Sequence, residues 1–115
     1  MRNNFDILKR KKSKFGNKFE KTGGTIYHSK KEARYAEQLQ LKKLAGEIKE
    51  WKGQHCLRLD VDGQHICNYF VDFLVTYKDG TEEYHEVKGF ETDTWRIKWK
   101  LALVIYGKEK FVLIK

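Results

Sequence analysis

Two Asp-Gly pairs, Asp62-Gly63 and Asp79-Gly80, cut the middle of this chain into three runs rich in aromatic and β-branched residues. Asp-Gly between such runs is a strong short-range hairpin signal, because a tight turn needs residues that tolerate positive φ. The stretch from Glu50 to Gly89 therefore predicts a three-stranded antiparallel meander. Helical periods frame it. "SKKEARYAEQLQLKKLAGEI" predicts a helix beginning after Ser29 and stopping near Gly46, and "TWRIKWKLALVIYG" a second over residues 94–106, ended by Gly107. Trp95, Trp99, Ala102 and Tyr106 fall on one face of this second helix and Ile97, Leu101 and Val104 on another, which predicts burial on more than one side. The closing "FVLIK" is a continuous apolar run, the pattern of a strand buried on both faces. A right-handed crossover makes it parallel to the third strand. The predicted order is helix, three strands, helix, strand: a mixed sheet between helices.

The 115 residues suit one domain, and 40% hydrophobic with 14% aromatic residues supports a folded core despite the high charge. The longest purely apolar run, "LALVIY" at 101–106, is far short of the ~20 residues of a membrane span, and nothing resembles a secretory signal. A soluble, cytoplasmic protein with no membrane partner is expected. Cys56 and Cys67 read as reduced thiols in strands. With His55 and His65 they invite a zinc site, but strand alternation points His55 and Cys56 to opposite faces, which favours ordinary strand residues.

The formal net charge is +8, and residues 1–21 carry eight Lys or Arg against Asp6 and Glu20. Around "TGGT" at 22–25 this basic arm gives way to the domain proper, so the expected division is an arm at 1–24 and a domain at 25–115. Lys9, Arg10, Lys11, Lys12 and Lys14 form a cationic run whose composition reads as a solvated tail and which is expected to grip phosphates of a polyanion, releasing counterions. The arm lacks an amphipathic helical period with a strong apolar face, which favours nucleic acid over an acidic membrane.

One carboxylate, Asp72, interrupts the apolar run "YFVDF" at 69–73, and "HEVKG" follows at 85–89. Side chains alternate along a strand, so Glu86 and Lys88 share a face. A three-residue loop Lys78-Asp79-Gly80, with Gly80 left-handed, pairs Tyr77 with Thr81. Counting back five pairs sets Asp72 opposite Glu86. Opposed residues have Cβ atoms ~4.5–5.5 Å apart, so two carboxylates there repel unless a cation stands between them. Mg²⁺ suits such a pair, completing its octahedron with waters and a substrate phosphate. Lys88 would then stand beside that phosphate, able to orient or deprotonate the attacking water. The chemistry implied is metal-assisted phosphodiester hydrolysis.

Asp72 and Glu86-Val87-Lys88, within this order of elements, resemble the PD-(D/E)xK nuclease superfamily over most of residues 25–115. The helix, "YFVDF", "HEVKG" and "RIKWKLALVIYG" together resemble small bacteriophage and prophage proteins of that superfamily, sometimes compared with Holliday-junction resolvases. The resemblance implies an α/β (α+β) fold with a restriction-endonuclease-like αβββαβ core, its mixed four-stranded sheet flanked by helices. It implies Mg²⁺ or Mn²⁺ on Asp72, Glu86 and the Val87 backbone carbonyl, Lys88 as the catalytic lysine, and Glu32 as an additional acidic residue acting on the metal directly or through water. It further implies a DNA endonuclease acting on branched or junction DNA, a homodimer that cuts paired strands, and Lys98 and Lys100 near the scissile phosphate. Gln54 matches a glutamine often found entering the first strand, and Val71 stands where the superfamily name has proline.

Each of these residues has a structural alternative. Ser29 and Glu32 fit a helix capping box, Glu86 with Lys88 fits a surface ion pair, and Lys98 with Lys100 fits a solvated helix face. At the level of function, the alternatives are a non-catalytic DNA-binding module on the same fold and an RNA-directed nuclease.

Overall fold

The computed structural model describes residues 29–115, together with the backbone of two short strands at 20–22 and 25–27. The chain divides after Gln40 into two compact units.

In the first unit, β1 (Glu20–Thr22) and β2 (Thr25–Tyr27) pair antiparallel, Thr22 with Thr25 at their near end. The expected boundary between arm and domain at residue 24 falls between these strands. Helix α1 (Lys30–Leu44) follows. Ser29 Oγ accepts a hydrogen bond from Glu32 N at 3.1 Å, satisfying one of the free N–H groups of the first turn. Ala33, Ala36 and Leu39 are buried at i, i+3 and i+6, the stripe expected of an amphipathic helix.

The second unit begins in the last turn of α1. Gly46 takes φ +82°. Glu47 N donates to Lys42 O at 2.9 Å and Gly46 N to Lys43 O at 3.1 Å, a Schellman ending that turns the chain toward the sheet. The sheet has the order β3-β4-β5-β6, formed by β3 (Glu50–Val61), β4 (Gln64–Thr76), β5 (Glu82–Val87) and β6 (Phe111–Ile114). The first three are antiparallel neighbours and β6 runs parallel to β5, the mixed α+β arrangement expected. Helix α2 (Asp93–Tyr106) makes the crossover, and a 3₁₀ turn at Lys108–Lys110 leads into β6.

Both Asp-Gly turns form. Asp62 and Gly63 have φ of +49° and +78°, as a two-residue turn between paired Val61 and Gln64 requires. In the second turn Tyr77 N donates to Thr81 O at 2.8 Å and Gly80 sits at φ +93°. Asp79 Oδ1 braces it, accepting from Thr81 N at 3.0 Å and from Thr81 Oγ1 at 2.7 Å. A Cβ at residue 80 would meet no atom but would be forced into a backbone region that L side chains avoid. Gly80→Ala is expected to lower the unfolding free energy by about 1–2 kcal/mol, read as a lower urea midpoint at unchanged slope.

Helix α2 departs in part from expectation. Trp95 and Ala102 are buried against the sheet with Trp99 and Tyr106 beside them, and of the second face Leu101 packs partly against the core, but Ile97 and Val104 are 66% and 81% exposed. The helix is buried on one side only. β6 also differs: it is the edge strand, and all four of its residues are half-buried rather than enclosed. Alternation turns Phe111 and Leu113 to the face beneath α2, where they pack against the core.

Candidate active site

The β4–β5 ladder pairs Thr76 with Glu82 and continues to Phe73 with His85. One step further the same register sets Asp72 across from Glu86. There the carboxylates replace the backbone ladder. Asp72 N donates to Glu86 Oε1 at 3.3 Å, and Val87 N donates to Asp72 Oδ2 at 2.8 Å. Each strand holds the other's acidic side chain, so the strands part at this point and leave the two carboxylates side by side.

The same level carries a change of pleat in β3 and β4. Regular alternation would place Val71 with Phe73 and Val75, and Leu74 on the opposite face. Instead Leu57, Leu59, Tyr69 and Val71 share one core with Leu74, Tyr84 and Trp95, and the His55 ring stacks on Tyr84 at 5.9 Å. Phe73 packs elsewhere, edge-on to Trp51 at 5.7 Å. The register is unchanged across the break, Gly53 with Phe73 and His55 with Val71, so no residue is inserted. The phase switches at Gln54 and Asp72, which face each other, and Gln54 supplies the necessary distortion with φ +52°. This gives Gln54 a structural role that its position in the sequence did not reveal.

The switch brings Tyr69 beneath Glu86. Tyr69 OH donates to Glu86 Oε1 at 2.9 Å, and Trp95 Nε1 donates to Tyr69 OH at 3.3 Å. Trp95 is held there by the start of α2, where Thr92 Oγ1 accepts from Trp95 N at 3.1 Å as the helix cap. Lys88 completes the group. Its Nζ lies 3.6 Å from Glu86 Oε2 and 5.0 Å from the centre of the Trp95 ring, a cation–π contact.

Glu86 is 3% exposed. Burial, and next the negative charge of Asp72, push its carboxyl up to about 8, against the opposing pull of Lys88 and of the hydrogen bonds from Tyr69 and Asp72 N. Burial also holds the Tyr69 hydroxyl protonated well above its usual range, reinforced by the charge of Glu86. The Glu86–Lys88 contact is therefore part of a half-enclosed cluster, unlike the surface pair that was the alternative.

Asp72, Glu86 and Lys88 thus come together, with Val87 the last residue of β5 and Lys88 directly after it. Glu32 is buried in α1, within the first unit, and its backbone takes part in the helix cap. Lys98 is half-buried and Lys100 exposed on α2. Lys9, Arg10, Lys11, Lys12 and Lys14 lie outside the described residues. His65 Nδ1 pairs with Asp60 Oδ1 at 2.7 Å, while Cys56 and Cys67 are free thiols on β3 and β4. Sequence pattern gives Tyr69 no role at the site and offers Trp95 only as core or as a surface on which bases stack, not as a partner of Tyr69. A buried tyrosine three residues before a strand aspartate was the available signal, but regular alternation puts residues 69 and 72 on opposite faces.

A divalent cation is a chemical match for Asp72 and Glu86. Their donors are oxygens, as hard cations require, and after burial the charge of Asp72 is the next cause of the raised Glu86 carboxyl, a repulsion that a cation between them would relieve. Among the described residues, no three His, Cys, Asp or Glu side chains gather as a metal-binding group. A cation here would rest on two carboxylates and complete its shell with backbone, water or substrate oxygens.

A family described as "Protein of unknown function (DUF1064)" matches residues 12–114, and the chain belongs to it. No curated protein and no solved structure matches the chain. No helix among the described residues is long and apolar enough to cross a membrane.

Proposed function

We propose that this DUF1064 protein is a Mg²⁺- or Mn²⁺-dependent endonuclease that hydrolyses DNA phosphodiester bonds. The observation that carries the reading is the meeting of Asp72 and Glu86 where β4 and β5 part, with the Lys88 ammonium 3.6 Å from Glu86. Two acidic groups brought together beside one lysine are a costly arrangement for structure alone: without a further cation Glu86 is driven to hold its proton, and ionising both groups needs more compensation than one lysine gives.

Asp72, Glu86 and the Val87 carbonyl would hold the metal, which when bound polarises the phosphoryl group and lowers the pKa of water. Lys88, held over the Trp95 ring, orients the attacking water and donates to a non-bridging phosphate oxygen. Its charge offsets the negative charge that grows as the P–O bond to the leaving sugar oxygen breaks. The family resemblance implies an assisting role for Glu32, which Glu32→Gln kinetics would test. The basic run at residues 9–14 and the lysines of α2 supply phosphate contacts, and junction DNA cut by a homodimer is the preferred substrate and assembly by the same resemblance.

The test is incubation with matched duplex, single-stranded, flap and four-way-junction DNA, and with RNA of equal length, under Mg²⁺, Mn²⁺ or EDTA. Metal-dependent scission of DNA that EDTA stops is the expected result. DNA binding with no product in any metal lane would establish the non-catalytic module instead, and scission of RNA alone would reassign the substrate.

A further inference from the structure

We infer that Tyr69 and Trp95 are positioning residues that present one particular oxygen of Glu86, Oε2, to the metal and to Lys88. This rests on the metal-site reading above and adds to it a defined support beneath the ligand.

The direction of the hydrogen bonds follows from chemistry. An indole N–H can only donate, so in the 3.3 Å contact Tyr69 oxygen is the acceptor and the tyrosine's single proton is left for Glu86. Tyr69 OH then donates to Oε1 at 2.9 Å, and Asp72 N donates to the same oxygen at 3.3 Å. Two donors occupy Oε1 and leave Oε2 as the oxygen turned toward Lys88 Nζ. The indole acts at both of its surfaces: its N–H end fixes Glu86 through Tyr69, and its face carries the Lys88 ammonium. Trp95 is itself pinned by the Thr92 cap and stacks on Trp99 at 5.4 Å. A rigid line runs from the start of α2 to the carboxylate, as outer partners of metal ligands commonly do.

Tyr69→Phe removes one oxygen from a buried ring and keeps its packing, and Trp95→Phe keeps an aromatic face under Lys88 while removing the N–H. Mn²⁺ titration of the full-length, metal-free protein by calorimetry is expected to show affinity about 10-fold or more weaker in Tyr69→Phe, with a smaller loss in Trp95→Phe. Circular dichroism confirms the fold of both. In cleavage, kcat is expected to fall with KM for DNA unchanged, the split expected of a misplaced ligand rather than a lost binding surface. The Trp95 indole N–H, buried and hydrogen-bonded to Tyr69 OH, is expected to exchange slowly in the wild type, and to shift and exchange faster in Tyr69→Phe. Wild-type Mn²⁺ affinity retained in a folded Tyr69→Phe overturns the positioning role and leaves the metal site standing. A wild type that binds no Mn²⁺ overturns the metal site and this role together.

Discussion

Lys88→Ala and Asp72→Asn are each expected to slow metal-dependent cleavage by about 10²–10⁴-fold while changing DNA affinity no more than a few-fold. Lys88 Nζ is fixed between Glu86 Oε2 and the Trp95 ring, so its amine is already in place when a phosphate arrives, and truncation removes that preorganised charge. Asp72→Asn keeps an oxygen able to accept from Val87 N, so the parting of the strands survives while the negative charge is lost. Single-turnover cleavage measures the first quantity and fluorescence anisotropy on labelled DNA the second. Equal losses in binding and cleavage would instead mark these residues as part of the binding surface, and near wild-type cleavage in both variants would remove them from the chemistry.

The second large effect is on stability. The Glu86 carboxyl stands at about 8 in the folded protein against an ordinary value of 4.5. A folded-state value raised in this way contributes stability that is complete below about pH 4.5 and is lost as pH rises through 8, because across that window the folded chain retains a proton the unfolded chain has released. The slope is about 1.4 kcal/mol per pH unit, for a total on the order of a few kcal/mol. His55 and His85 act in the opposite sense. Burial lowers both below their ordinary 6.5, so each contributes stability gained as pH rises through that value. The informative quantity is therefore the difference between wild type and Glu86→Gln in urea denaturation without metal. Relative to wild type, the amide is expected to gain stability steadily from pH 5 to 8. Added Mg²⁺ should reverse the trend in the wild type alone, since a bound cation favours the ionised carboxylates and its uptake expels the proton. A difference flat with pH would mean that Glu86 is ionised throughout.

Much of the fold was legible because turn chemistry acts locally. Asp62, Gly63 and Gly80 take the positive φ values that only such residues accept cheaply, and a hairpin loop of known length sets the register of every pair behind it. The opposition of Asp72 and Glu86, and the placing of Lys88 beside Glu86, followed from that count. The helix ends at Ser29, Gly46 and Gly107 were equally local, each reflecting a cap or a left-handed residue.

The amino-acid order by itself determined the two helices and the four strands of the main sheet, their sequence, the strand register and the juxtaposition of the acidic pair with its lysine, but not the short β1–β2 pair before them. Tertiary packing decided which face each residue uses and how deeply it lies. Alternation is a rule for one undisturbed strand, and it broke at Gln54 and Asp72 because both strands could switch phase together without altering their pairing. That switch carried Tyr69 to Glu86. Depth is likewise a property of what covers a surface: α2 packs one side on the sheet and leaves Ile97 and Val104 in solvent, and β6 is half-buried along its whole length. The elevated proton affinity of Glu86 depends on both, since burial and a neighbouring charge exist only once the chain has closed around them.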